Sequence, residues 1–155
     1  MRIVYWTAFW AFLIDQATKY LVVHAMNLAE RGTIEVYPPL LTLRMAWNTG
    51  INFGLFAEGA ASSRWILIAV ALLISVGVLY WAYRERPRRA GLVATGLLVG
   101  GAIGNVIDRL LYGAVADFLN VSCCGIDNPF AFNVADMAIF VGAAVLVLLP
   151  GEKGT

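Results

Sequence analysis

Apolar residues occur along this chain in long blocks separated by shorter, mixed segments. A helix needs roughly 20 apolar residues, rising 1.5 Å each, to cross about 30 Å of hydrocarbon. Four stretches meet or approach that length, approximately Ile3 to Val23, Trp65 to Tyr83, Gly91 to Tyr112 and Asn133 to Leu149. The second carries no charge and ends in Trp81 and Tyr83, as an interfacial aromatic belt would. The fourth has only 17 residues and is expected to thin the bilayer locally or to start at the interface. Between the first two spans the period changes. Thr33 to Val36 alternates polar and apolar residues, Pro38 and Pro39 break the run, and Leu41, Leu43, Met45 and Trp47 form a second period-2 face opposite Thr42 and Arg44. That pattern predicts a small surface sheet. Gly54 to Ser63 reads as one short interfacial helix. Gly113 to Phe132, with Gly125, Pro129 and no lasting periodicity, reads as a loop. The fold class is therefore all-α transmembrane, a four-helix membrane bundle with a small sheet, forming a single integral membrane domain over residues 1–155.

Composition supports the bilayer reading and removes its competitors. Hydrophobic residues make up 61% of the chain and charged residues 14%, against about 25% charged in a typical soluble domain. Eleven Lys and Arg against ten Asp and Glu leave a net charge of +1, no field for holding nucleic acid. Two cysteines cannot complete a four-ligand structural zinc site or a disulfide scaffold. They are Cys123 and Cys124, adjacent and so poorly placed to bridge each other. Orientation follows from Arg84, Glu85, Arg86, Pro87, Arg88 and Arg89, because four arginines between two spans stay on the cytoplasmic side. Both termini then face the cytoplasm, and residues 24–64 and 113–132 face outward. Asp15 and Lys19 interrupt the first apolar run and no A-x-A site follows, so it is read as a retained span rather than a cleaved leader.

On this topology the polar groups of the spans collect at one end. Asp15 and Lys19, then Asn105, Asp108 and Arg109, then Asn133 and Asp136 all fall in outer halves, with Asp117 just past the third span and Asn48 and Asn52 on the outward segment. Intramembrane charge is costly and normally functional, and this distribution describes one site near the outer interface. Asp15 and Lys19 are spaced i,i+4, as are Gly101, Asn105 and Arg109. Gly96, Gly100 and Gly104 form a small-residue stripe suited to close helix packing. Four carboxylates reach the zone. Lys19 is a natural partner for Asp15, and Arg109 or a cation of a neighbouring helix for Asp108. Asp117 and Asp136 have no basic residue nearby in sequence, and facing one another they would share a proton. One would then take a proton from water while the other donates to a leaving group. Solvated interface aspartates, or ordinary N-terminal helix electrostatics at Asp136, fit the same spacing. A small proton-coupled transporter or a membrane subunit also uses intramembrane carboxylates, but a transporter calls for polar groups through the full depth. His24 is read as an interfacial residue.

Five ordered blocks carry a resemblance. They are Asp15-Gln16-x-x-Lys19; Asn48-Thr49-Gly50 running into Phe53-Gly54; Gly100-Gly101-x-x-Gly104-Asn105-x-x-Asp108-Arg109; Gly113 through Val115-Ala116-Asp117-Phe118; and Phe132-Asn133-x-Ala135-Asp136. In these the chain resembles the lipoprotein signal peptidases, the bacterial signal peptidase II family of inner-membrane aspartic proteases. The resemblance implies removal of the signal peptide from a prolipoprotein whose lipobox cysteine carries a diacylglyceryl group, with cleavage N-terminal to that cysteine. It implies Asp117 and Asp136 as the catalytic aspartates, and Asp15, Lys19, Asn48, Asn105, Arg109 and Asn133 as residues that shape or brace the site. Gly101 and Asp108 fall in the same blocks and are expected to brace it too. It further implies an extracytoplasmic β-cradle, membrane phospholipid around the site, no metal or other cofactor, and inhibition by cyclic peptides such as globomycin. Asn52 stands where the family usually has a small residue, so an extra amide is expected in or beside the cleft.

Overall fold

The computed structural model describes residues 1–50, 60–125 and 127–148, with side chains of residues 60–62 left aside. Asn52, and the part of the expected interfacial helix at 54–59, lie outside the described residues; 60–63 begin a longer helix instead. The elements run α1 (Arg2–Lys19), a π-helical turn (Tyr20–Ala25), α2 (Leu28–Arg31), β1 (Thr33–Tyr37), β2 (Leu41–Asn48), α3 (Ala60–Glu85), α4 (Arg89–Tyr112), β3 (Val115–Val121) and α5 (Val134–Leu148).

The helix α4 is central, packing against α1, α5 and α3, while α1 and α5 also touch. Glycine makes these contacts close. A Cβ added at Gly101 would lie 2.5 Å from the Ala135 carbonyl oxygen and 3.0 Å from Ile139, and one added at Gly142 would lie 2.6 Å from the Ala94 carbonyl oxygen. The nearest obstacle in each case is a backbone carbonyl, which cannot swing away as a side chain can. Gly101→Ala is therefore expected to push α5 off α4 and cost about 1–3 kcal/mol, read as a lowered melting temperature in detergent; an unchanged melting temperature would contradict this packing.

Among the described residues two helices, α3 and α4, are long and apolar enough to cross a membrane. The other two expected spans fall short for identifiable reasons. Arg2, Asp15 and Lys19 lie within the 18 residues of α1, and α5 has 15 residues. Large apolar side chains nevertheless point away from the protein on α3 and α5, Leu73 at 72% exposure and Phe140 at 76%. Exposed apolar surface on this scale is what lipid, rather than water, accepts.

The sheet has three antiparallel strands in the order β1-β2-β3. The third strand corrects the reading of 113–132 as a loop. Val115 to Asn120 is buried at nearly every position, so no alternation marks it. An irregularity between Leu43 and Ala46 resets the register, so that Ala46 pairs with Asp117 and Asn48 with Val115. Phe132 bridges to Leu119 beyond the strand. Leu43 and Phe118 join Val22 and Leu28 in a small core that fastens the sheet to the end of the first helix.

Candidate active site

Four elements present carboxylates at the sheet end of the helices, Asp15 on α1, Asp108 on α4, Asp117 on β3 and Asp136 on α5, and each is held by groups from another element. Lys19 is the central cation. Its Nζ lies 2.7 Å from Asp15 Oδ2 on its own helix and 2.7 Å from Asp108 Oδ2 on α4, and donates to Asn105 Oδ1 at 3.3 Å. Asp15 and Asp108 are buried almost completely. Each accepts a backbone N–H as well, Asp15 Oδ1 from Ala135 at 2.9 Å and Asp108 Oδ2 from Ala116 at 3.2 Å. Gln16 Nε2 donates to Asp15 Oδ2 and to Asp108 Oδ1, both at 3.1 Å. Lys19 and Gln16 thus tie α1 to α4, and the two aspartates they hold extend the tie to α5 and β3 through the Ala135 and Ala116 N–H groups. The expected i,i+4 pair is present, and the neighbouring-helix cation for Asp108 is Lys19.

Asp117 and Asp136 are held differently, by amides. Asp117 Oδ1 accepts Asn133 Nδ2 at 2.6 Å, and its Oδ2 accepts Asn48 Nδ2 at 3.0 Å. Asn48 can spare its amide because its own Oδ1 accepts the Gly50 N–H at 3.0 Å, a side-chain turn that fixes its orientation. Asp136 Oδ1 accepts Asn105 Nδ2 at 2.8 Å. Asn133 and Asp136 cap α5 reciprocally: the Asp136 N–H donates to Asn133 Oδ1 at 2.9 Å, and the Asn133 N–H to Asp136 Oδ2 at 3.3 Å. This is a capping box built from asparagine and aspartate. Asn133 therefore touches both carboxylates, with Asn105 beside it donating to one and accepting from Asn133 at 3.3 Å.

Burial, and then the charge of Asp136, push the Asp117 carboxyl up from 3.8 to about 6, against the lowering bonds from Asn48 and Asn133 and the charge of Lys19. The native protein therefore holds this proton more tightly than the unfolded chain between about pH 4 and 6. The stability it contributes is full below 3.8 and lost as pH rises through about 6. We expect the Asp117 carboxyl band, followed by isotope-edited infrared spectroscopy, to titrate near 6, to move up in Asn48→Ala and down in Asp136→Asn. A midpoint near 4 in the unsubstituted protein would contradict the geometry.

Arg109 pairs with neither Asp15 nor Asp108 among the described residues; Lys19 takes both. Its Nη1 donates to the Asn105 carbonyl at 3.3 Å, and its Nε is buried without a partner. Arg109 stands close enough to feel the charges of Asp136, Asp117 and Asp108, a neighbourhood that sequence proximity did not reveal. Gly101 and Gly104 keep α4 close to α5 and Asp15. His24 rests against Tyr20, ring centroids 5.6 Å apart. It lines a cavity of about 120 Å³ shared with Gln16, Lys19, Trp47, Asp108 and Tyr112. That cavity adjoins the lysine cluster and not the Asp117–Asp136 pair. Cys123 and Cys124 are free and exposed. Sequence reasoning left Gln16 out of the candidate residues although its block was recognised; a polar amide adjoining a buried aspartate was the available signal. The N–H groups of Ala116 and Ala135 carry no signal in residue type at all. Among the described residues no group of three or more His, Cys, Asp or Glu side chains is arranged to hold a metal ion.

A family model described as signal peptidase (SPase) II matches residues 7–149. The lipoprotein signal peptidase of Rhizorhabdus wittichii is 42% identical over 137 residues, covering 88% of this chain and 78% of that protein. The one from Symbiobacterium thermophilum is 41% identical over 149 residues, covering 94% and 93%. A bacterial membrane enzyme solved by the in meso method at 1.9 Å resolution superposes with a TM-score of 0.80 at 27% identity, covering 97% of this chain and 94% of that one. With amide-held carboxylates beside a buried lysine cluster, and a match running nearly end to end, the chain belongs to the signal peptidase II family.

Proposed function

We propose that this enzyme is an intramembrane aspartic endopeptidase that removes the signal peptide from diacylglyceryl-modified prolipoproteins, with Asp117 and Asp136 as its catalytic pair. The observation that carries the assignment is Asn133, whose side-chain amide donates to the Asp117 carboxylate while its backbone N–H donates to the Asp136 carboxylate. One carboxylate takes a proton from the attacking water while the other, protonated, donates to the scissile carbonyl and then to the departing amine. The burial that raises Asp117 also provides a proton to share near neutral pH. Asn48, Asn105 and Asn133 orient the two acids and offer amides to the substrate backbone, whose polar groups must be met in a low-dielectric cleft. Arg109 offsets the negative charge beside the pair. Asp15, Lys19, Gly101 and Asp108 brace the helices that carry it.

In this reading the whole chain is one membrane domain of four crossings, by α1, α3, α4 and α5, in the bacterial cytoplasmic membrane. The four arginines of 84–89 hold both termini inside, and the sheet forms an outer cradle over the pair. The acyl chains of the substrate remain in lipid while water reaches the peptide bond, and a cyclic peptide such as globomycin competes for the same cleft. The transporter reading finds little support: the buried hydroxyls of Ser75 and Thr95 bond carbonyls of their own helices and form no chain toward the carboxylates. The test is incubation of purified protein with prolipoprotein with and without its diacylglyceryl group. Cleavage N-terminal to the cysteine of the lipidated form alone is expected; equal cleavage of both, or of neither, would refute the substrate assignment.

A further inference from the structure

At the end of the bundle away from the carboxylates lies a second cavity, of about 410 Å³, lined by Met1, Ala82, Tyr83, Arg86, Pro87 and Leu92. Leu92 and Asp108 are separated on α4 by about 24 Å at 1.5 Å per residue, so this space is no part of the site above. Its walls are mostly apolar, and among the described residues Arg86 is the one cationic side chain lining it. The surroundings are strongly basic. Arg84, Arg86, Arg88 and Arg89 stand against the single acid Glu85. The helix α4 begins here with arginine at its N-cap, no side-chain cap bond and no acidic residue in its first turn. The positive end of its dipole is thus left uncompensated by its own residues. The backbone presenting Arg86 is well defined. Arg86 has φ 47°, Pro87 is buried, and a Cβ on Gly91 would come within 2.8 Å of the Pro87 ring.

A free inorganic anion would meet the charge and leave the apolar wall bare. A neutral acyl chain would fill the wall and leave the charge unanswered. We propose that this cavity binds an anionic phospholipid, its phosphate held by Arg86 and the first turn of α4, and its glycerol and first acyl carbons against Ala82, Tyr83, Pro87 and Leu92. Basic cavities between membrane helices recognise lipid headgroups by this combination of cation and apolar wall. The site serves retention of a structural lipid and lies apart from the cleavage chemistry.

The test is native mass spectrometry of the purified full chain from micelles containing equal phosphatidylglycerol and phosphatidylcholine. The unsubstituted protein is expected to retain phosphatidylglycerol preferentially. Arg86→Ala should lower that preference about fivefold, the contribution of one arginine near an anionic lipid surface. Leu92→Trp, which fills the cavity and leaves every charge in place, should lower it as well. Both variants are expected to cleave prolipoprotein at the unsubstituted rate in detergent, which serves as the folding control; if Leu92→Trp fails that control, Leu92→Phe replaces it. Equal retention of the two lipids by the unsubstituted protein overturns the proposal. So does loss of preference in Arg86→Ala with full preference in the cavity-filling variant, since the lipid would then sit on the arginine surface outside the cavity.

Discussion

Asp117→Asn and Asp136→Asn are each expected to reduce cleavage of diacylglyceryl-modified prolipoprotein by at least ~10³-fold, the range in which positioned acid–base groups act. An asparagine keeps the size of each side chain but can neither take a proton from water nor return one. At Asp136 the oxygen needed by the α5 cap survives, since an amide oxygen still accepts from the Asn133 N–H, while the Asn105 amide loses its acceptor. At Asp117 one of the two amide donors, Asn48 or Asn133, loses its acceptor, and a modest change in melting temperature is expected. The readout is single-turnover cleavage of one lipidated substrate, with melting temperature in the same detergent as the folding control. Full cleavage by either folded variant would remove that residue from the mechanism. The double variant should be no slower than the slower single one, because two groups sharing one proton act as a unit.

The largest effect on stability is expected at Lys19. Lys19→Met keeps most of the side-chain volume but leaves Asp15 and Asp108 buried with their shared cation gone. Breaking a buried ion pair from one side costs about 3–5 kcal/mol, a large part of the total stability of a domain. Protonation of the stranded carboxylates is the escape open to them, so the variant should recover stability as pH falls. Adding Asp15→Asn and Asp108→Asn should restore much of the loss at neutral pH, because the cost lies in the uncompensated charges rather than in the missing ammonium. The check is thermal unfolding in detergent from pH 5 to 8. An unchanged melting temperature in Lys19→Met across that range would mean that the cluster does not hold the helices together.

Much of this architecture was legible because the relevant physics is local. Apolar length marked α3 and α4, i,i+4 spacing paired Asp15 with Lys19, and period-2 alternation marked β1 and β2. The third strand was not legible, since Val115 to Asn120 is covered on both faces and alternation needs one wet face. The partner of Asp108 was half legible. A cation was expected, but the choice between Arg109, its neighbour in sequence, and Lys19, 89 positions away, depends on how α1 lies against α4. Arg109 illustrates the same point from the other side, since it feels across the fold the charges of Asp136 and Asp117, carboxylates that stand alone in the sequence.

What the sequence determined by itself was the solvent this chain folds in, the clustering of its carboxylates toward one end, and the five blocks that resemble one protease family. Composition and periodicity are sums over neighbouring residues, and such sums need no knowledge of the fold. Only the tertiary structure decided that Asp108 shares the lysine of Asp15 and that Asp117 and Asp136 are held by asparagine amides. That distinction arises where Lys19 of one helix reaches Asp108 of another, and where Asn133 turns its side chain between Asp117 and Asp136. Electrostatics in a dry interior is set by distances of about 3 Å, which separation along the chain does not measure.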